Sequence, residues 1–136
     1  MSNGFATPLE SRRALFAALA AMLLACSASA EQTRASVRLL VQSSPLAGFR
    51  YHAAAEVWSE LRVGDALELT REPDNAFDAN ATSVSWQGRK LGYVPRRENA
   101  AIAWGLDRGE HLRARISRLM QHPNPARRIE FEVYIE

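Results

Sequence analysis

Residues 69–92 place a dense group of turn-forming residues between two strand-like runs, and this segment constrains the fold more than any other. It reads LTREPDNAFDANATSVSWQGRKLG. The runs at 66–71 and 82–86 alternate between apolar and polar residues, as half-buried strands do. Gln87 and Gly88 predict a hairpin turn that leads into a return strand at 90–94. The Asp and Asn residues between the strands exceed what a connection needs, which suggests a surface that holds a polar or anionic ligand.

The rest of the chain also consists of short segments separated by turn signals. Further strands are predicted at 36–41, 111–120 and 128–135. Turns are predicted at 43–48 and 122–125. Residues 51–58 fit either a strand or a short helix, and residues 98–106 have the apolar spacing of a helix. Five or six short strands with one or two short helices predict a mainly β protein built as a small barrel.

The first 30 residues have the pattern of a secretory signal peptide. Arg12 and Arg13 precede an uncharged run at 14–26, and Ala28-Ser29-Ala30 supplies a cleavage site. The run has 13 residues, fewer than the roughly 20 that span a bilayer. The sequence therefore predicts a signal peptide at 1–30, cleaved from an exported domain at 31–136 without a transmembrane segment. An N-terminal anchor or a buried helix is the alternative.

The details of this leader leave the export route and the location open. The paired arginines fit twin-arginine export, and an ordinary secretory signal fits as well. Leu23-Leu24-Ala25-Cys26 resembles a lipobox, which would make the protein a lipoprotein anchored through Cys26. The expected location is periplasmic or secreted. Cys26 is the only cysteine, so disulfides and thiolate metal sites are excluded from the predicted mature domain.

The type of basic residue says more about a binding partner than the net charge does. Residues 31–136 carry 15 basic and 14 acidic side chains, and all the basic ones except Lys90 are arginine. The planar guanidinium fork suits phosphate and carboxylate groups. Genome composition alone also produces such a bias, so the arginines are compatible with an anionic partner without requiring one.

No catalytic or metal-binding motif is recognisable. The chain lacks a nucleophile elbow and a glycine-rich phosphate loop. The spacing of Asp74, Asp78 and Asn80 superficially resembles a calcium loop, but the required glycine and bidentate glutamate are missing. The sequence therefore predicts no cofactor, no metal and a protein that is not an enzyme. A small metal-dependent hydrolase using Asp74 or Asp78 is a third hypothesis that no motif supports.

Backbone capping explains the polar loop without any ligand. Asp and Asn side chains accept hydrogen bonds from amides two residues further on, which stabilises tight turns. On this interpretation Asp74, Asn75 and Asp78 are structural. Phe77 would then be half-buried and would plug one end of the barrel.

Three segments together resemble the HIRAN domain family. They are REPDNAFDANA at 71–81 followed by Val84, LGYVPR at 91–96, and GFRYH at 48–52. The resemblance extends over roughly residues 37–135. It implies an OB-like β-barrel that binds DNA, and in particular a single-stranded 3′ end.

The resemblance also implies a set of nucleic-acid-binding residues. By position in the family pattern they are Arg50, Tyr51, Asp74, Asn75, Phe77, Asp78 and Arg96. Tyr51 or Phe77 would stack on a base. Asp78 would accept from the 3′-hydroxyl group, and Arg50 or Arg96 would hold a phosphate.

Departures from the family pattern keep a second hypothesis open. His52 stands where a second aromatic residue often lies, Ala76 replaces the usual proline, and residues 126–128 contain no aromatic side chain. The helicase and zinc-finger regions of large repair proteins are absent, so ATPase activity and zinc binding are not inferred. Export also conflicts with a role at replication forks. The leading hypothesis is an exported module for single-stranded DNA ends, and the alternative is a periplasmic protein-interaction module without nucleic-acid affinity.

Overall fold

The computed structural model describes residues 37–136, so the predicted signal peptide and Cys26 lie outside the described residues. Six strands and two short α-helices follow one another as β1 (Leu39–Pro45), α1 (Ala54–Val57), β2 (Ala66–Arg71), β3 (Thr82–Trp86), β4 (Arg89–Tyr93), α2 (Ala100–Asp107), β5 (Leu112–Leu119) and β6 (Ile129–Ile135). Three 3-10 turns lie between them, at Phe49–Tyr51, Arg96–Glu98 and Pro125–Arg127. Within this described part of the chain, no helix has the length and hydropathy needed to cross a membrane.

All strands pair antiparallel in the order β1-β6-β5-β2-β3-β4. The beginning of β2 pairs with β5 and its remainder pairs with β3. Strands β1 and β4 are therefore the two ends of an open sheet. Within residues 37–136, one isolated backbone bridge, between Ala47 and Tyr93, joins the chain near these ends. The predicted mainly β fold is confirmed, but the expected barrel is corrected to a sheet that is not closed. Closure stops there because Pro45 has no amide to donate and Gly48, at φ 79°, turns the chain away.

The first strand begins and ends later than its sequence pattern predicts. The prediction placed it at 36–41, whereas Ser43, Ser44 and Pro45 also pair with β6. Ser44 is buried in this pairing. Turn propensity at these residues is thus overridden by tertiary strand pairing. The ambiguous segment at 51–58 forms a 3-10 turn and the single-turn helix α1, which confirms the helical alternative.

The core lies under one face of β5 and β6. Ala114 and Ile116 on β5, and Ile129, Phe131 and Val133 on β6, are buried at alternating positions. This alternation is what a sheet with one buried face requires. Three connections meet at one side of this core. They are the β2–β3 connection, the β4–α2 connection and the 3-10 turn after β1.

Candidate functional site

An open groove of about 780 Å³ lies where these three connections meet. Its lining comes from all three segments and consists of Ala47, Gly48, Tyr51, His52, Asn75, Phe77, Asp78, Ala81, Tyr93, Val94 and Arg96. The structure thus brings together five of the seven predicted site residues. Arg50 instead lines a pocket of about 240 Å³ that shares Gly48 and Tyr51 with the groove. Asp74 is exposed on the loop and does not line the groove.

Two aromatic side chains of the groove face solvent. Tyr51 and Phe77 are each 84% exposed, whereas Phe49, two residues before Tyr51, is buried in the core. The interpretation of Phe77 as a half-buried plug is therefore wrong, because the core is filled by other side chains and Phe77 sits at the tip of its loop. Exposed aromatic rings of this size offer flat apolar faces on which planar ligands can stack.

Backbone capping is confirmed for Asn75 and Asp78, whereas Asp74 makes no side-chain hydrogen bond within residues 37–136. Asn75 Oδ1 accepts from the amides of Phe77 at 2.9 Å and Asp78 at 3.2 Å. Asp78 Oδ1 accepts from the amide of Asn80 at 2.9 Å. These local bonds fix the loop backbone from which the Phe77 ring projects. Capping and ligand binding are compatible, because a carboxylate oxygen can accept more than one hydrogen bond.

A buried amide anchors the loop to the helix beyond β4. Asn99, which is 2% exposed, donates from Nδ2 to Asp78 Oδ2 at 2.7 Å. Its carbonyl accepts from the amide of Ala103 in the first turn of α2. The position of Asp78 is therefore set both by its own loop and by α2.

Arg71 stabilises the same loop through hydrogen bonds to its backbone. Its guanidinium group donates to the carbonyl oxygens of Ala81 at 2.7 Å and Ala79 at 2.9 Å. It also forms an ion pair with Asp107 at 2.9 Å. The Arg71 side chain is largely covered, so its role is to shape the loop. The motif contains this arginine, but sequence reasoning gave it no role because both partner carbonyls and Asp107 are reached only after folding.

A polar cluster of Glu72, Lys90 and Tyr93 adjoins the groove through Tyr93, which lines it. Lys90 Nζ donates to Glu72 Oε2 at 2.8 Å and to the Tyr93 hydroxyl at 3.1 Å. The Tyr93 hydroxyl donates to Glu72 Oε1 at 2.9 Å. These bonds lower the pKa of Glu72, chiefly through Lys90, and raise the pKa of Lys90, chiefly through Glu72. The only lysine of the chain is therefore engaged by partners within the protein.

His52 belongs to the wall of the groove and was not among the predicted site residues. Its ring packs edge-on against Tyr93, with 5.4 Å between ring centroids. Burial, followed by the nearby charge of Lys90, lowers the pKa of His52 below 6.5. The imidazole is therefore neutral at physiological pH and contributes a flat, uncharged surface.

Replacing Glu72 with glutamine is expected to remove a pH-dependent part of the stability. The folded-state pKa of Glu72 lies below its ordinary value of 4.5. Its contribution is therefore present above pH 4.5 and is lost as the pH falls through the folded pKa. For this partly exposed pair we expect at most about 1 kcal/mol. Thermal unfolding should show a gap between wild type and Glu72→Gln at neutral pH that narrows in acid.

Glu68→Gln supplies the control for this pH dependence. Glu68 is exposed on β2, and among residues 37–136 it has no ion-pair partner. Its substitution should leave the unfolding midpoint unchanged at both pH values. A gap for Glu72→Gln that stays constant from neutral to acidic pH would contradict the expectation.

The two arginines near the groove lack carboxylate partners, unlike most other basic side chains of the described residues. Most basic side chains on the sheet are matched by carboxylates, as in the pairs of Arg115 with Glu132 and Arg89 with Glu56. Arg50 and Arg96 are exposed, and neither has an ion pair or a side-chain hydrogen bond to any residue in the described range 37–136. Their guanidinium groups are therefore free to hold a phosphate or carboxylate group of a ligand.

Metal coordination has no visible basis in this part of the chain. Across residues 37–136, no group of three or more His, Cys, Asp or Glu side chains is placed to hold an ion. Asp78 makes its two contacts to protein amide groups instead.

The fold and the groove define a small β-sheet binding module. Residues 39–136 match the HIRAN domain family, and the chain belongs to this family. Among solved structures, a crystal structure of a protein from Lactobacillus plantarum is similar, with 30% identity, a TM-score of 0.63, and coverage of 73% of this chain and 95% of that one. The HIRAN domain of human HLTF is similar in fold, with 20% identity, a TM-score of 0.56, and coverage of 72% and 78%. No match is found among curated proteins.

Proposed function

We propose that this protein binds single-stranded DNA and that the groove holds the nucleotide at the end of the strand. The observation that carries the proposal is the exposure of two aromatic rings, Tyr51 and Phe77, on one groove. Grouped exposed apolar faces mark interaction sites, and bases stack on aromatic faces irrespective of sequence. Membership of the HIRAN family supports the same ligand class.

The polar groups around the two rings suit the remaining parts of a terminal nucleotide. Arg96 lines the groove and Arg50 lines the adjoining pocket, so one can take the 5′-phosphate of the terminal nucleotide and the other the next phosphate along the strand. The Asp78 carboxylate lines the groove and is held rigidly by Asn80 and Asn99. A fixed acceptor beside a stacked base suits the 3′-hydroxyl group, which only a free 3′ end offers.

Fluorescence anisotropy with labelled oligonucleotides tests this function. The purified protein is titrated with single-stranded DNA that has a free 3′ end and with the same strand carrying a 3′-phosphate. We expect tighter binding of the free end and a marked loss of affinity with added salt. Equal affinity for both strands would contradict recognition of the end. Absence of any salt-dependent binding would contradict the nucleic-acid proposal as a whole.

We also propose that the mature domain acts outside the cytoplasm, on extracellular or incoming DNA. The support is the leader pattern at 1–30, with its arginine pair, apolar run and small-residue cleavage site. A reporter fused after Ala30 should appear in the periplasmic or secreted fraction. A purely cytoplasmic signal would contradict export, and globomycin-sensitive processing would show lipidation at Cys26.

A protein-interaction module is the second candidate function, and one observation favours it. Val37, Leu39, Leu40 and Val41 are exposed apolar residues at and before the start of β1, which is an end strand of the sheet. An apolar sheet edge is a common docking site for a further strand. A photo-crosslinker at position 40 should capture a protein partner in cells, whereas one at Glu68 on β2 should not. Equal capture from both positions would argue against this function.

A further inference from the structure

A further pocket beyond the groove, the outer pocket, also carries unpaired positive charge. Its volume is about 550 Å³, and its lining consists of Pro45, Arg97, Arg118, Met120, Asn124, Ala126, Arg127 and Glu130. Arg118 and Glu130 form an ion pair with each other. Arg97 and Arg127 are exposed, with neither an ion pair nor a side-chain hydrogen bond in the described residues. Two guanidinium groups of this outer pocket are therefore uncompensated.

The pocket lined by Arg50, here called the small pocket, adjoins both the groove and the outer pocket. Gly48 and Tyr51 line both the groove and the small pocket. Asn124 and Ala126 line both the small pocket and the outer pocket. The three depressions thus adjoin one another in a row, called the track below, which is lined by Arg96, Arg50, Arg97 and Arg127.

The 3-10 turn after β4 connects both ends of this track. Arg96 lines the groove and Arg97 lines the outer pocket, although their Cα atoms are only about 3.8 Å apart in the chain. The turn therefore directs two successive arginines to two different depressions. A ligand that reaches from one depression to the other would meet a guanidinium group in each.

We propose that the outer pocket is a second subsite, in which Arg97 and Arg127 bind phosphates of the nucleotides that follow the one in the groove. This inference rests on the proposed function and extends it from a terminal nucleotide to a segment of strand. Two guanidinium groups at one pocket suit the regularly spaced phosphates of a nucleic-acid backbone. The aliphatic surfaces of Pro45, Met120 and Ala126 leave room for sugars without selecting a base.

Oligothymidylates of two lengths separate the groove from the outer pocket. A dinucleotide without a 5′-phosphate carries one phosphate, at the groove, and offers none to the outer pocket. A strand of about 10 nucleotides lies within the usual site size of such modules. Wild-type protein should bind the longer strand more tightly. The Arg97→Ala/Arg127→Ala variant should bind the dinucleotide with wild-type affinity. It should lose the additional affinity that the wild-type protein has for the longer strand.

Salt titration gives the expected size of the effect. Each phosphate contact to a single strand contributes about 0.7 to the slope of log K against log salt. The double variant should therefore lose about 1.4 from the slope for the longer strand, which corresponds to about 25-fold in affinity at 0.1 M salt. Arg113→Ala is the matched control, because Arg113 is also exposed, lacks an ion pair within residues 37–136, and does not line the track.

Each outcome decides between the two proposals. If the double variant keeps the full gain from length, the second subsite is overturned while the groove remains supported by dinucleotide binding. The second subsite is likewise overturned if Arg113→Ala loses as much per charge, since the effect would then be general electrostatics. If wild-type protein binds neither strand, both the function and this extension are contradicted.

Discussion

Alanine at position 77 is expected to weaken the binding of single-stranded DNA by about 5- to 150-fold without unfolding the protein. The range corresponds to the roughly 1–3 kcal/mol that base–aromatic stacking contributes for each base. The Phe77 ring is 84% exposed, so its removal leaves no cavity in the core. Tyr51→Ala should have an effect of similar size, measured by anisotropy titration with a free 3′ end.

Two further variants distinguish stacking from a general loss of aromatic surface. Phe77→Trp keeps a ring at the loop tip and should retain most of the affinity. Trp104→Ala removes another exposed aromatic ring, 56% exposed on α2, from a place that does not line the groove, and should bind as wild type does. Normal affinity in Phe77→Ala and Tyr51→Ala, with an unchanged unfolding midpoint, would refute the groove as the binding site.

Substitution of Gly92 with alanine is expected to have the largest effect on the fold. A Cβ atom at this position would lie 2.1 Å from the carbonyl oxygen of Ala47 and about as close as packing allows to the Leu46 side chain. The same Ala47 carbonyl accepts from the Tyr93 amide at 2.9 Å in the bridge that joins the two ends of the sheet. Because a backbone atom cannot move aside as a flexible side chain can, the bridge must open.

The expected cost of Gly92→Ala is about 1–3 kcal/mol of unfolding free energy. For a domain of this size, the unfolding midpoint should fall by about 4–8 °C for each kcal/mol. Ala47 and Tyr93 both line the groove, so the affinity for DNA should fall as well. Thermal unfolding measures the loss of stability. Anisotropy titration at a temperature below the unfolding midpoint measures the loss of DNA affinity.

Gly109→Ala is the matched control for this prediction. Gly109 has a φ of 80°, so a side chain there is strained, but a Cβ atom would meet nothing within 4 Å. It should lower the unfolding midpoint and leave DNA affinity unchanged. A Gly92→Ala protein with wild-type stability and affinity would show that the Ala47–Tyr93 bridge does not hold the groove together.

Much of the groove could be predicted because its motif combines local geometry with a family pattern. Asn75 caps the amides of Phe77 and Asp78, and such contacts depend only on residues two or three positions apart. The separate segments around Tyr51 and Arg96 were associated with this loop through the family resemblance alone. Spacing in the chain would not have placed them at one groove.

The interactions that fix the groove in place were beyond sequence reasoning. Arg71 reaches Asp107, and Asp78 reaches Asn99, across 36 and 21 positions of the chain. Residue type offers no signal for these partners, since the chain contains many arginines and carboxylates. Phe77 was misjudged for the same reason, because burial of a loop aromatic depends on whether the core has room for it.

The sequence by itself determined the alternating strands, the hairpin at residues 87 and 88, and the self-capped loop, because each depends on neighbours within a few residues. Tertiary structure decided that the sheet stays open, with one bridge between Ala47 and Tyr93 near its two ends. It also decided that Arg96 and Arg97 line different pockets. These outcomes required the packing of distant strands, whose energy is shared over many contacts and is carried by no single motif.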